Sequence, residues 1–286
     1  EGDSAGHYSG IVNETQVIDF SVGEYERNIS IQLWKQYSDE FQISLQAPNQ
    51  TEVILTERVN AGKQVVNFSR TGVLVYWGEP KPYSVLQEIY FDFIPMGEGK
   101  YIDSGIWKLK LIPIKVVSGK IDCYLPSSEA RSSRTGFLRT TPEMTLTIPS
   151  TSSKIVTVGA YNASLEQYAT FSGRGLSLVS RENSITLAGM IKPDLVAPGV
   201  DIVAPDVRGG YGLVTGTSFA TPIVSGCAAL LMEWGIVRRN DPYLYGEKVK
   251  AYLRRGARAV RGEKEYPNEK VGFGKICLAE SIPSES

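Results

Sequence analysis

Two kinds of structure are predicted in this one chain: an antiparallel β-sandwich over the first half, then a mixed unit of strands and helices. Three observations predict them. From residue 11 to about 126, apolar residues recur with period two, the signature of strands with one buried face. Beyond Met144 that alternation gives way to denser apolar runs. Finally, Gly216-Thr217-Ser218 opens an apolar stretch that reaches Trp234 and reads as a helix.

The first ten residues, Glu1 to Gly10, are rich in Gly and Ser and read as a loop, His7 included. Alternation then begins: Ile29, Ile31 and Leu33; Phe41, Ile43 and Leu45; Val53 and Leu55. It resumes in Ile89, Phe91 and Phe93, in Trp107, Leu109 and Leu111, and in Ile121, Cys123 and Leu125. Breakers separate the runs at Pro48-Asn49, Ala61-Gly62, Arg70-Thr71-Gly72 and Gly97-Glu98-Gly99. Roughly eight strands and no helix predict an antiparallel sandwich, and a jelly roll is its natural eight-stranded form. A carbohydrate-binding reading of the sandwich finds little support, since Trp34, Trp77 and Trp107 fit alternating core positions as well as an exposed sugar platform.

Residues 127–142, rich in Ser, Arg and Thr, read as an exposed connection. Leu146 to Pro149 and Ile155 to Ala160 are β-rich. Val224, Cys227, Ala228, Leu230, Leu231 and Trp234 make the next helix apolar on most sides, so a buried central helix is expected. Tyr245 to Leu253 is amphipathic and helical.

The chain of 286 residues has 42% hydrophobic residues and a net charge of -1, so a real core is expected and no polyanion partner. No apolar run approaches the ~20 residues of a membrane span. Cys123, Cys227 and Cys277 form neither a disulfide framework nor a metal set, and no cofactor or calcium loop is implied. Glu1-Gly2-Asp3 lacks an initiating Met, which suggests a processed product or an expressed piece of a longer chain.

The chemistry concentrates at Ser218. Gly216 permits a sharp bend, and Ser218 follows at a helix start, where free N–H groups and the dipole favour an adjacent oxyanion. Acyl transfer by a hydroxyl nucleophile needs that environment. A Gly-Thr-Ser turn is equally a cap, and the local pattern leaves the two readings open.

Resemblance separates them. Gly216-Thr217-Ser218-Phe219-Ala220-Thr221-Pro222-Ile223-Val224-Ser225-Gly226 resembles the serine motif of subtilisin-like proteases, with Ile223 where His is common. Val156-Thr157-Val158-Gly159-Ala160, Phe171-Ser172-Gly173-Arg174-Gly175 and Lys192-Pro193-Asp194-Leu195-Val196-Ala197-Pro198-Gly199-Val200 resemble further landmarks, in the family's order. Gly272-Phe273-Gly274-Lys275-Ile276 resembles its closing strand, and Glu1-Gly2 the tail of its oxyanion segment. A sandwich between these segments resembles the Csp-type subtilases of spore-forming clostridia.

The resemblance implies an α/β subtilase-like core, incomplete and C-terminal, plus an inserted jelly-roll-like sandwich. Residues 1–10 would start the core fragment, 11–143 would form the insert with its connection, and 144–286 the part carrying the nucleophile. It implies a serine endopeptidase with Ser218 as nucleophile, Thr217 supporting it and Glu1 at the rim of the substrate pocket. The partners implied are a peptide or protein substrate and an upstream segment with the catalytic Asp and His and the oxyanion Asn. The setting implied is extracellular, or the cell or spore envelope. Nothing here resembles the Asp or His motifs; His7 lies in a different context, and Asp194 is read as structural. Triad members act as a unit, so the chain is expected to be inert alone. The rival expectation is a binding module, a pseudoprotease that uses the same fold for recognition.

Overall fold

The computed structural model describes residues 5–56, 63–97, 100–127, 130–175 and 191–283. The chain divides into two compact units, one spanning Ser4–Thr141 and the other taking in Pro142–Ser286.

The first unit holds two antiparallel sheets. One contains β1 (His7–Ile11), β3 (Ile29–Gln36), β6 (Lys63–Asn67), β7 (Thr71–Trp77), β8 (Leu86–Pro95) and β10 (Lys120–Tyr124), in the order β1-β10-β3-β8-β7-β6. The other contains β2 (Gln16–Val22), β4 (Glu40–Gln46), β5 (Glu52–Leu55), β9 (Gly105–Lys115) and β11 (Gly136–Phe137), in the order β11-β2-β9-β4-β5. Alternation decides which side chains meet. Ile29, Ile31 and Leu33 of β3 are buried, as are Val73, Val75 and Trp77 of β7 and Trp107, Leu109 and Leu111 of β9. The two sheets share one core, where Trp107 packs edge-on to Phe93 at 5.2 Å and Phe20 meets Phe93 at 5.9 Å. Trp107 also donates its indole N–H to the Asp103 carbonyl at 2.8 Å, so its polar edge is satisfied inside the core.

Two expectations are corrected here. His7 lies in a strand, because β1 pairs with β10 along its whole length; a Gly/Ser-rich stretch can hold a strand when a partner supplies the ladder. Residues 127–142 are not simply an exposed connection: Thr135, Gly136 and Phe137 are buried, and β11 extends the second sheet beside β2.

Asp39 fixes the turn between β9 and β10. Its buried carboxylate accepts the backbone N–H groups of Val117 (2.6 Å), Ser118 (2.9 Å) and Gly119 (3.0 Å). Asp39→Ala would strand donors at the cost of about 1–3 kcal/mol for a buried one. Urea unfolding of the sandwich should therefore show a loss of about 3 kcal/mol. A loss below about 1 kcal/mol would mean that water replaces the carboxylate.

The second unit is built on β12 (Val158–Asn162), β13 (Gln167–Tyr168) and β14 (Leu195–Pro198), in the order β13-β12-β14. β12 and β14 run parallel, with Val158 opposite Leu195 and Ala160 opposite Ala197. A hairpin of β15 (Ile202–Pro205) and β16 (Tyr211–Val214) leads into α1 (Thr217–Met232), followed by a π-helical turn at Glu233–Val237. α2 (Glu247–Arg255) and the single turn α3 (Leu278–Ser281) complete it. Thr147, Ile148 and Pro149 are exposed and outside any strand, so the strand expected there is absent. The Gly272–Ile276 stretch lies against β14 and Arg258 through bridges at Lys275 rather than as a full strand.

α1 departs from the buried central helix expected. It packs on β12 and β14 through a core that includes Ala220, Val224 and Leu231, while Thr221, Ser225, Gly226, Ala229 and Met232 are exposed and Leu230 is 54% exposed. Apolar composition all round does not dictate burial all round; among the described residues, partners stand on one side only. Thr217–Val237, with 21 residues and a mean hydropathy of 1.5, is also long and apolar enough by composition to cross a membrane, against expectation. In this fold one face of it is the lid of a sheet.

Asp194 lies at the start of β14's approach, fully buried. It accepts the Thr157 N–H (2.6 Å) and pairs with Lys192 (2.9 Å), Lys250 (3.1 Å) and Arg254. Burial alone would raise its pKa, but the Thr157 N–H and these three cations outweigh that and hold it below the ordinary carboxylate value. The Lys192 ammonium is pushed down, chiefly by desolvation, with Asp194 opposing the shift.

Candidate active site

The helix start that carries Ser218 is held by small residues. Gly199, just past β14, donates to the Tyr161 carbonyl at 3.1 Å and accepts the Gly216 N–H at 2.8 Å. A Cβ on Gly199 would stand 2.6 Å from the Ala160 Cβ and 3.0 Å from the Gly216 carbonyl oxygen. Only glycine lets β12, β14 and the helix start approach this closely. Gly216 has φ 154°, a conformation that side chains avoid, and this turns the chain from β16 into α1.

Gly216 is the N-cap residue, and no side chain caps the helix. Thr217 and Ser218 are thus inside the first turn rather than capping it. Ser218 is exposed and Thr217 half-buried. The first turn carries no acidic residue, so nothing there neutralises the positive end of the helix dipole. Pro222 has no N–H to give, which leaves the Ser218 carbonyl without its usual i+4 donor. One residue earlier, Thr221 Oγ1 donates to the Thr217 carbonyl at 3.0 Å. Upstream, Thr215 Oγ1 accepts the Asp201 N–H at 3.0 Å and steadies the base of the hairpin.

The remaining candidates fall elsewhere. Glu1 lies outside the described residues. His7 is buried in β1, with Nδ1 2.9 Å from the Thr141 carbonyl, Nε2 3.3 Å from Asp122 and its ring stacked on Tyr124 at 4.5 Å. Burial pushes the Asp122 carboxyl up, but His7, Lys120 and Ser9 outweigh it and hold the pKa below its ordinary value. His7 is therefore committed to the sandwich. Among the described residues, no cluster of three or more His, Cys, Asp or Glu could hold a metal.

Ser218 is thus an exposed serine in the first turn of a helix, behind a glycine bend and beside the parallel pair β12–β14. Residues 139–274 match the Subtilase family model (Peptidase S8). It is similar to the serine protease AprX of Bacillus subtilis, 30% identical over 161 residues, covering 49% of this chain and 32% of AprX. It is also similar to the subtilisin-like protease SBT6.1 of Arabidopsis thaliana, 32% identical over 137 residues, covering 48% of this chain and 12% of that protein. Of solved structures, the Clostridium perfringens CspB protease is similar over 98% of this chain and 56% of its own, at 33% identity and a TM-score of 0.86. The chain spans about a third or less of the length of these two curated relatives.

The sequence left Trp34 open between a core position and an exposed platform. Its parity is opposite to that of Ile29, Ile31 and Leu33, so it faces outward from β3, unlike buried Trp77 and Trp107. Counting parity along the run would have found it.

Proposed function

We propose that this chain is the nucleophile-bearing C-terminal part of a subtilisin-like serine endopeptidase. The observation that carries the reading is the exposed Ser218 in the uncapped first turn of α1. Ser218 Oγ attacks a peptide carbonyl, a histidine from an upstream segment takes its proton, and an aspartate orients that histidine. The Ser218 N–H and an upstream Asn hold the oxyanion. Thr217 supports the nucleophile, and Glu1 lines the rim of the substrate pocket.

Two features support an upstream partner segment. The outer face of α1 is open, with Leu230 and Met232 exposed beside small residues, and Val158 and Gly159 of β12 have a ladder on the β14 side only, among the described residues. Packing and strand pairing would close both. The strand orders β1-β10-β3-β8 and β2-β9-β4-β5 support reading the sandwich as a jelly roll.

Extending the chain upstream through the Asp, His and Asn motifs should yield an endopeptidase that cleaves denatured casein, whereas residues 1–286 alone should not. A well-folded extended protein without activity would instead favour the pseudoprotease.

A further inference from the structure

The sandwich carries a cleft of about 110 Å³ at one end of the outer face of its six-stranded sheet, lined by Trp34, Tyr37, Tyr83, Glu79, Lys81 and Glu88 among others. Hydrogen bonds hold part of its wall before anything binds. The Tyr37 hydroxyl donates to the Gly78 carbonyl at 3.1 Å, and Gln87 Nε2 donates to the same oxygen at 3.2 Å. The Gly78 N–H donates to the Glu88 carbonyl at 2.7 Å, and Gln32 Nε2 holds the Glu88 carboxylate at 3.0 Å. The Ser84 N–H closes a turn on the Lys81 carbonyl at 3.2 Å.

Of the rings lining the cleft, Tyr83 is exposed and Trp34 and Tyr37 are half-buried, and none belongs to the core. Trp34 stands across the ladder from Glu88 on one side and Asp122 on the other, on a face the buried residues of β3 do not use. Tyr83 is 82% exposed. Two residues along the strands, Tyr90 and Tyr76 lie side by side at 6.3 Å and continue the aromatic stripe.

We propose that this cleft binds a saccharide ring. A pyranose has an apolar C–H face, which aromatic faces receive, and a rim of hydroxyls that each donate and accept. The cleft matches both, with rings among its lining residues and Lys81, Glu79 and Glu88 to meet the hydroxyls. Lys81 disfavours a cationic guest, and Glu79 with Glu88 disfavours an anionic one. The part of the wall held beforehand limits the ordering lost on binding. The site is independent of Ser218 and of the peptidase reading.

Calorimetric titration of the whole chain with N-acetylglucosamine tetramer, cellotetraose and mannotetraose tests it. At least one should bind saturably, at least tenfold more weakly to Trp34→Ala, and with most of its affinity kept in Trp34→Phe. Should Trp34→Ala fail to fold, Tyr83→Ala makes the same test through an exposed ring. Binding by none of the three sugars overturns the proposal, as does undiminished binding by the alanine variants. Binding of N-acetyl-arginine amide in place of sugar would also overturn it, in favour of a cation cage.

Discussion

Extended upstream through the triad and oxyanion motifs and treated with a fluorophosphonate, the protein is expected to carry one label, on Ser218, and Ser218→Ala none. The label reports nucleophile activation directly, without requiring a good substrate. Residues 1–286 alone should label only at background. They retain the helix start and the Ser218 N–H but lack a proton acceptor, since His7 is engaged by Thr141 and Asp122 within the sandwich. Losing one oxyanion donor costs about 2.7–4 kcal/mol. Losing the histidine costs on the order of a million-fold in kcat, about as much as losing the triad. Strong labelling of residues 1–286, read out by mass spectrometry of the modified peptide, would show that a local group serves as base.

The second large effect concerns stability. Asp194→Ala removes the one carboxylate that Lys192, Lys250 and Arg254 share, and leaves buried cations facing one another. Breaking a buried pair by deleting one partner costs about 3–5 kcal/mol, and here three cations lose their partner. Urea unfolding followed in the second unit should therefore lose at least about 4 kcal/mol, while the sandwich transition stays in place. The pH dependence has a definite sign. The folded pKa of Asp194 is depressed, so its contribution is fully present above the unfolded value of about 4 and is lost as pH falls through the folded value. Asp194→Asn keeps the shape and should flatten that acid limb. An unaltered limb would mean other carboxylates govern it.

Much of this was legible beforehand because local rules sufficed. Period-two alternation found β3, β4, β8, β9 and β10, and the turn chemistry of Gly216 put Ser218 at a helix start. What escaped was decided by distant partners. β1 is a strand only because β10 lies beside it, and β11 only because β2 offers an edge. The one-sided packing of α1 cannot be read from a stretch apolar all round, since composition reports what a helix tolerates and not which neighbours it finds. The ion cluster around Asp194 draws on residues as far apart as Thr157 and Arg254. Trp34 alone was within reach of a closer local reading.

The pairing of His7 with Thr141 has a topological consequence. The Thr141 N–H donates to the His7 carbonyl at 3.1 Å and Thr141 Oγ1 accepts the Ser9 N–H at 2.7 Å, so the chain leaves the sandwich beside the point where it came in. The cost of closing so long a loop falls on the sandwich's own folding. To whatever sequence flanks it, the whole sandwich counts as a short splice between neighbouring points, which a brief linker could replace or another self-closing module could occupy.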